Sequence, residues 1–423
     1  ENDTIDKIKK IQNILGLGNK IELKLLSEKT VYMKKLWLFN IMRVIRILIY
    51  VKNCLSFRNI VSSFKIFFYN LLKQNTRYPN YLLNFEKEIS NYFGSKYALS
   101  FSNGTTACTA LLYSLGVKKN SKIILSKLTF PSVVSSILRV GATPIYLDFD
   151  KNFQIEENSN REQIISADFF LITHAYGLPQ DIEKVKSILS LNKKLILIED
   201  ISHAQGATTN NVMVGTLGAG SFMSMQGDKA INAGEGGIVL TNNENVYNRL
   251  IYLSHLNRKT SKNENLNLLS KIGFIGKGRM NPLGAITALG DIKNLNKRNK
   301  SIREKVKIIY EDLGNLKNFE VPKVKNYENL GGFHYGIPFF CNVDSSLDKL
   351  KKNFKIVKYN WPILDADENF HNPDNFLKLM YSNDPNIEKV FRNSDDHRDE
   401  LYFFDLNEII KLNKTKIKKK IEV

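Results

Sequence analysis

Between Asn84 and Asp200 the chain alternates amphipathic helical stretches with short apolar runs, and this alternation restricts the fold more than any other feature. The helical stretches NFEKEISNYFG, TTACTALLYSLG, FPSVVSSILRVG and DIEKVKSILSLN are interleaved with the strand-like YALSFS, KIILS, TPIYLDFD, DFFLITHAYG and KLILIED. The strand-like runs are almost unbroken in their apolar character, so both of their faces must be covered. A largely parallel sheet between layers of helices does this. The expected fold class is α/β, with a large domain over 77–295 whose mostly parallel sheet is flanked by helices. A charged helix, LNKRNKSIREKVKIIYEDLGNL, then opens a mixed region read as a smaller α+β C-terminal domain, 296–423.

In sheets of this kind ligands sit beyond the carboxyl ends of the strands, and that rule selects the residues to inspect. YALSFS is followed by Asn103-Gly104-Thr105-Thr106 at the start of a helix, where backbone amides and two hydroxyls favour an anion such as a phosphate. The same pattern also serves as a plain helix cap. KIILS leads to Phe130, which is placed either to stack on a flat ring or to pack under the next helix. DFFLIT leads to His174 and Tyr176 at a turn. KLILI ends in Glu199-Asp200, followed by Ser202 and His203. A carboxylate at the end of an apolar strand calls for a cation, and Asp200 suits a protonated ring nitrogen; capping of the following turn is the other role open to it.

Lys229, in SMQGDKAINAGEGG, stands among glycines, alanines and a serine. Small neighbours let a ligand approach its amine closely, and partial burial lowers an amine's pKa and makes it a nucleophile. An amine for an aldehyde, a carboxylate for a ring nitrogen, a stacking ring and a phosphate seat together describe a site for pyridoxal 5'-phosphate.

The ordered motifs SNGTTA, LTFPSVVSSILRVGATPIYLDFD, HAYGLPQD, LIEDISHAQGA, VGTLGAGSFMSMQGDKAINAGEGG and GRMNPLGAITALG resemble the DegT/StrS family of pyridoxal-phosphate-dependent sugar aminotransferases over about residues 80–290. The resemblance implies the fold-type I, aspartate-aminotransferase-like architecture. It implies that Lys229 joins the cofactor's aldehyde and shuttles protons, that Asp200 pairs with the pyridine nitrogen, that Phe130 covers the ring and that His203 lies beside it. Thr105, Thr106 and Ser224 would bind the phosphate. It further implies an amino group moved from glutamate or glutamine to a keto-sugar, most simply a nucleotide-linked 3- or 4-keto hexose destined for a surface polysaccharide, by a homodimer. Many members carry asparagine two residues before the Arg-Met pair, where it reaches the neighbouring subunit's phosphate; here that position is Lys277, which can meet a phosphate as a point charge. The C-terminal region matches poorly beyond YNWPILDADENFHNP, where Trp361 and His371 are pocket or structural residues alike.

The formal net charge of +19 raises the question of anionic partners. Residues 31–76 hold eight Lys/Arg and no Asp or Glu, and KLNKTKIKKK at 411–420 adds six lysines. Within 1–76 the spacing predicts basic amphipathic helices, forming an extension that either lies in a membrane interface or packs on the remainder of the chain. LWLFNIMRVIRILIYV, broken by Arg43 and Arg46, is too short to span a bilayer, and no signal-peptide pattern is seen. The apolar helices lack a base-reading face, so no nucleic-acid partner is expected. Three scattered cysteines, Cys54, Cys108 and Cys341, indicate neither a disulfide framework nor a metal site and fit a reducing cytoplasm, with peripheral contact at the inner face of the membrane as the alternative setting.

Competing readings are amination of a cyclic ketone such as an inosose, a sugar dehydratase, and a non-catalytic regulator on the same fold. The dehydratase branch replaces the lysine by histidine, whereas this chain keeps Lys229.

Overall fold

The computed structural model describes residues 80–156, 161–255, 258, 268, 271–333, 335–358 and 400–421. The expected helices of 1–76, and Trp361 and His371, lie outside the described residues. Among the described residues no helix is long and apolar enough to cross a membrane.

Seven strands form the main sheet: β1 (Tyr97–Phe101), β2 (Lys122–Ser126), β3 (Thr143–Leu147), β4 (Phe169–Thr173), β5 (Ile196–Asp200), β8 (Gly220–Ser224) and β9 (Gly237–Thr241). A two-stranded ribbon, β6 (Thr208–Thr209) and β7 (Val212–Met213), lies between β5 and β8 in the chain. The order across the sheet is β1-β9-β8-β5-β4-β2-β3. β9 runs antiparallel to both of its neighbours, β1 and β8, and the other four pairs are parallel. The expected mostly parallel sheet is therefore present. One reversed strand has a consequence for the site, because the start of β9 lies at the edge where the other strands end.

Helices cover both faces, as buried strands require. The sequence marks where each begins. Asn103 caps α2 (Gly104–Ser114) by accepting from the Thr106 amide at 2.8 Å, Pro131 opens α3 (Pro131–Arg139), and Asp181 caps α5 (Ile182–Leu191). These follow α1 (Asn80–Phe93) and flank the short α4 (Arg161–Ile165). On one face Leu111, Val134 and Ile137 pack with α6 (Glu244–Ser254) against Leu99, Leu125 and Val239; on the other, Phe85 and Ile89 of α1 join Met223 and Ile238.

Helix α7 (Pro282–Gly314), started by the Asn281 cap and Pro282, carries the chain without a break from the main sheet to a second one. That sheet is antiparallel, in the order β10 (Phe319–Glu320), β11 (Gly336–Cys341), β13 (Leu401–Asp405), β12 (Ile356–Val357). It is backed by α8 (Asp344–Asn353), α9 (Leu406–Lys411), α10 (Lys414–Ile421) and the end of α7. Its core holds the fully buried Phe339, Phe403 and Phe404, each worth about 1.5–3 kcal/mol of apolar transfer.

Candidate active site

The carboxyl ends of β1, β5 and β8 meet the start of β9 at one edge: Phe101 pairs with Gly237 and Gly237 with Ser224, while Asp200 pairs with Phe222, two residues before Ser224. Thr173, the last residue of β4, pairs with Asp200. Glycine lets the chain close tightly over this edge. A Cβ added at Gly104 would lie 2.8 Å from that of Ser224, and one at Gly237 would overlap the Asn103 carbonyl. The first turn of α2, with Thr105 and Thr106, is thereby set against Ser224. The Thr106 amide is already taken by Asn103, and its hydroxyl lies 3.4 Å from that of Ser102.

Segment 277–279 joins the same corner. The Ser102 amide donates to the Gly278 carbonyl at 2.7 Å, and a Cβ at Gly278 would touch the Thr106 methyl at 3.3 Å. Lys277 is exposed beside it. Phe130 stands at the N-terminus of α3, at the end of the β2 connection, with 41% of its surface exposed on the edge where ligands sit.

Lys229 lies on the loop between β8 and β9. The loop is closed by Met225 donating to the Gly236 carbonyl and Ala233 donating to the Met225 carbonyl, both at 2.8 Å. A buried side chain that sequence reasoning did not single out, Gln205, spans it: Nε2 donates to the Ser224 carbonyl at 2.8 Å and Oε1 accepts from the Ile231 amide at 2.7 Å. Both sides of Lys229 are thus fixed by one amide. Asn232 extends the hold, donating from its backbone to Asp291 of α7 at 3.0 Å.

Burial pulls the Lys229 pKa down to about 8, against the opposing charges of Asp228 and Asp200. Burial raises that of Asp200, against its hydrogen bonds from Ser202 and the nearby Lys229 and His174. Each group is pushed toward its neutral form although the two attract each other, so desolvation outweighs their attraction. A cationic ring nitrogen at Asp200 and an aldehyde at Lys229 relieve both, and on this ground the residues present fit pyridoxal phosphate.

His203 is buried between two tyrosines. Tyr176 stacks on it with centroids 5.7 Å apart and 30° between planes, and Tyr335 meets it edge-on at 5.4 Å and 88°. His174 and Glu199 belong to a different cluster. The Gln180 amide donates to His174 Nδ1 at 3.0 Å, which leaves the imidazole proton on Nε2, 3.3 Å from Glu199. Glu199 also accepts from the amides of Gly215, Leu217 and Gly218 at 2.7–3.0 Å. The structure thus brings Lys229, Asp200, His203, Ser224, Thr105, Thr106, Phe130 and Lys277 to one edge of the sheet.

Residues 71–399 match the DegT/DnrJ/EryC1/StrS aminotransferase family. The chain is 35% identical over 175 residues to a GDP-perosamine synthase of Escherichia coli O157:H7, covering 41% of this chain and 48% of that protein. It is 27% identical over 256 residues to the GDP-perosamine synthase of Vibrio cholerae, covering 60% of this chain and 67% of that one. The match therefore spans about half the length of the first relative and two thirds of the second. A DegT DnrJ EryC1 StrS aminotransferase from Brucella abortus superposes with a TM-score of 0.65 at 18% identity, over 88% of this chain and 94% of that one.

Proposed function

The chain belongs to the DegT/DnrJ/EryC1/StrS aminotransferase family, and from that premise we propose that it transfers an amino group from glutamate or glutamine to a nucleotide-linked keto-sugar for polysaccharide biosynthesis. The family is pyridoxal-phosphate-dependent. The observation that carries the reading is Lys229, an amine drawn down to about 8 on a clamped loop beside a buried strand-end carboxyl.

Bound at this edge, the cofactor supplies an electron sink for the carbon that gives or receives the amine. The chain's own residues do the rest. Asp200 keeps a proton on the cofactor's ring nitrogen, which it can do because its own carboxyl is buried and in need of a cation. Lys229 would hold the cofactor through its aldehyde, and its free amine would move the proton at the reacting carbon. A pKa near 8 leaves it able both to take and to return that proton near neutral pH. Phe130 and His203 would bound the ring, and Thr105, Thr106, Ser224 and Lys277 would hold the phosphate. The GDP-perosamine synthases among its relatives support a nucleotide-linked keto hexose as acceptor, with a cyclic ketone such as an inosose as the competing one. Work as a homodimer, and peripheral contact with a membrane through 31–76, belong to the same reading.

The test is borohydride reduction of the purified chain with cofactor, followed by peptide mass spectrometry, then single turnovers with each donor. A pyridoxyl group on Lys229, and loss of the visible band with glutamate or glutamine, is the expected result. An unmodified Lys229 in an active preparation overturns the mechanism. Keto hexoses against an inosose in the second half-reaction decide the acceptor.

A further inference from the structure

Tyr335 comes to the site from the second domain, on a loop that is firmly seated and locally strained. Residues 331–333 dock on the segments that follow β4 and β5: Gly331 donates to the Gly177 carbonyl at 3.0 Å, and a Cβ at Gly331 would come within 2.6 Å of the Ala207 nitrogen. Arg298 of α7 donates to the Gly332 carbonyl at 3.0 Å. Phe333 is fully buried and packs where a side chain on Gly177 would have been. The backbone is left-handed at two non-glycine residues, with φ of 39° at Phe333 and 70° at Tyr335, a region that aromatic residues seldom occupy. Tyr176, across the same junction, is left-handed too, at 51°.

Strain of this sort persists where the surrounding structure over-determines it. Its product here is the placement of rings. Tyr176 and Tyr335 take His203 between them, and the Tyr335 ring centroid stands 5.6 Å from Lys229 Nζ.

We propose that Tyr335 is a positioning residue for Lys229, its ring face holding the amine on the His203 side of the site and tying the lysine's state to the docking of the second domain. This rests on Lys229 being the cofactor lysine. A ring face favours the ammonium through its quadrupole, more strongly as water is excluded, whereas burial favours the neutral amine. The charged groups acting on Lys229 are Asp228 on its own loop and Asp200 at the end of β5; His203 meets the Tyr335 ring, and Asp291 of α7 accepts from the Asn232 backbone three residues after the lysine. Tyr335 brings to this set a contact that depends on the second domain being in place.

The experiment uses the full chain freed of cofactor, pulsed with an amine-acylating reagent over a pH series and read as modification of the Lys229 peptide by mass spectrometry. Tyr335→Asn removes the ring with a residue that tolerates left-handed backbone, and Tyr335→Phe keeps the ring face. We expect Tyr335→Phe to follow wild type and Tyr335→Asn to titrate about half a pH unit lower, so that labelling below the midpoint rises about threefold. A Tyr335→Asn curve superimposed on wild type overturns the proposal. An equal shift in Tyr335→Phe also overturns it, since the effect would then belong to the phenol hydroxyl. Borohydride fixation of the cofactor is a separate readout, so the assignment of Lys229 and the role of Tyr335 fail independently.

Discussion

Glu199 and Asp200, adjacent in β5, send their carboxylates to opposite faces of the sheet: Glu199 gathers the amides of Gly215, Leu217 and Gly218, and Asp200 turns toward Lys229. One is a fully hydrogen-bonded anchor. The other is a buried acid awaiting a cation.

Glu199→Gln therefore tests stability rather than chemistry. The variant's amide nitrogen faces amide donors that the carboxylate oxygens accept, leaving at least one buried N–H without an acceptor. We expect a loss of about 2–4 kcal/mol in urea unfolding, with the turnover of the remaining folded protein little changed. An unaltered midpoint would show that the 215–218 loop finds other acceptors.

Asp200→Asn should do the reverse. The folded-state carboxyl pKa is raised, so the chain without cofactor binds more protons folded than unfolded, and its stability falls as pH rises from the ordinary aspartate range through the folded value. Asparagine removes that dependence. We expect the cofactor-free variant to melt no earlier than wild type at neutral pH, while transamination drops about a hundredfold or more because the ring nitrogen loses its counter-ion. An earlier melt would mean that the carboxylate is paired more strongly than its surroundings indicate.

How much of this was legible in the sequence depends on how far apart the interacting residues lie. Strands β1 to β5 announce themselves as apolar runs, and Asn103, Phe130 and Asp200 follow from the strand-edge rule, each being a local signal. The mirrored roles of Glu199 and Asp200 were not legible, because the partners of Glu199 lie on a loop some residues ahead and only the pleat separates the two. Gln205 reads as one more polar residue in DISHAQGA until the fold brings Ser224 and Ile231 to either end of its amide. Tyr335 gives no sequence signal at all, since its relation to Lys229 exists only once the second sheet is seated. Within 1–76 the amphipathic pattern is legible, and those residues lie outside the described ones.

With Lys229 as the proposed cofactor lysine, its lowered pKa predicts cofactor uptake that depends on pH in a defined direction. Attack on the aldehyde needs the neutral amine, and the amine is protonated below about 8. Stopped-flow uptake of pyridoxal phosphate by the cofactor-free chain should climb nearly tenfold per pH unit below that value and level off above it. Lys229→Ala should show no slow covalent phase at any pH. A flat profile in wild type would mean that burial does not govern this amine.

Gly104→Ala separates two effects of opposite sign at one position. In an open helix the change would stabilise, by up to about 1 kcal/mol, through the better helix propensity of alanine. Here the new methyl would lie 2.8 Å from the Ser224 Cβ and 3.0 Å from its Cα. Neither atom is the end of a flexible chain, because Ser224 is fixed by its amide donating to Ser202 and its carbonyl accepting from Gln205. Overpacking of this kind costs about 1–3 kcal/mol, so the overlap outweighs the propensity gain and α2 must move off β8. That displacement carries Thr105 and Thr106 away from Ser224 and opens the proposed phosphate seat. We expect pyridoxal phosphate to bind about tenfold more weakly, while pyridoxal lacking the phosphate binds as it does to wild type. Equal weakening for both would place the damage at Lys229 rather than at the seat.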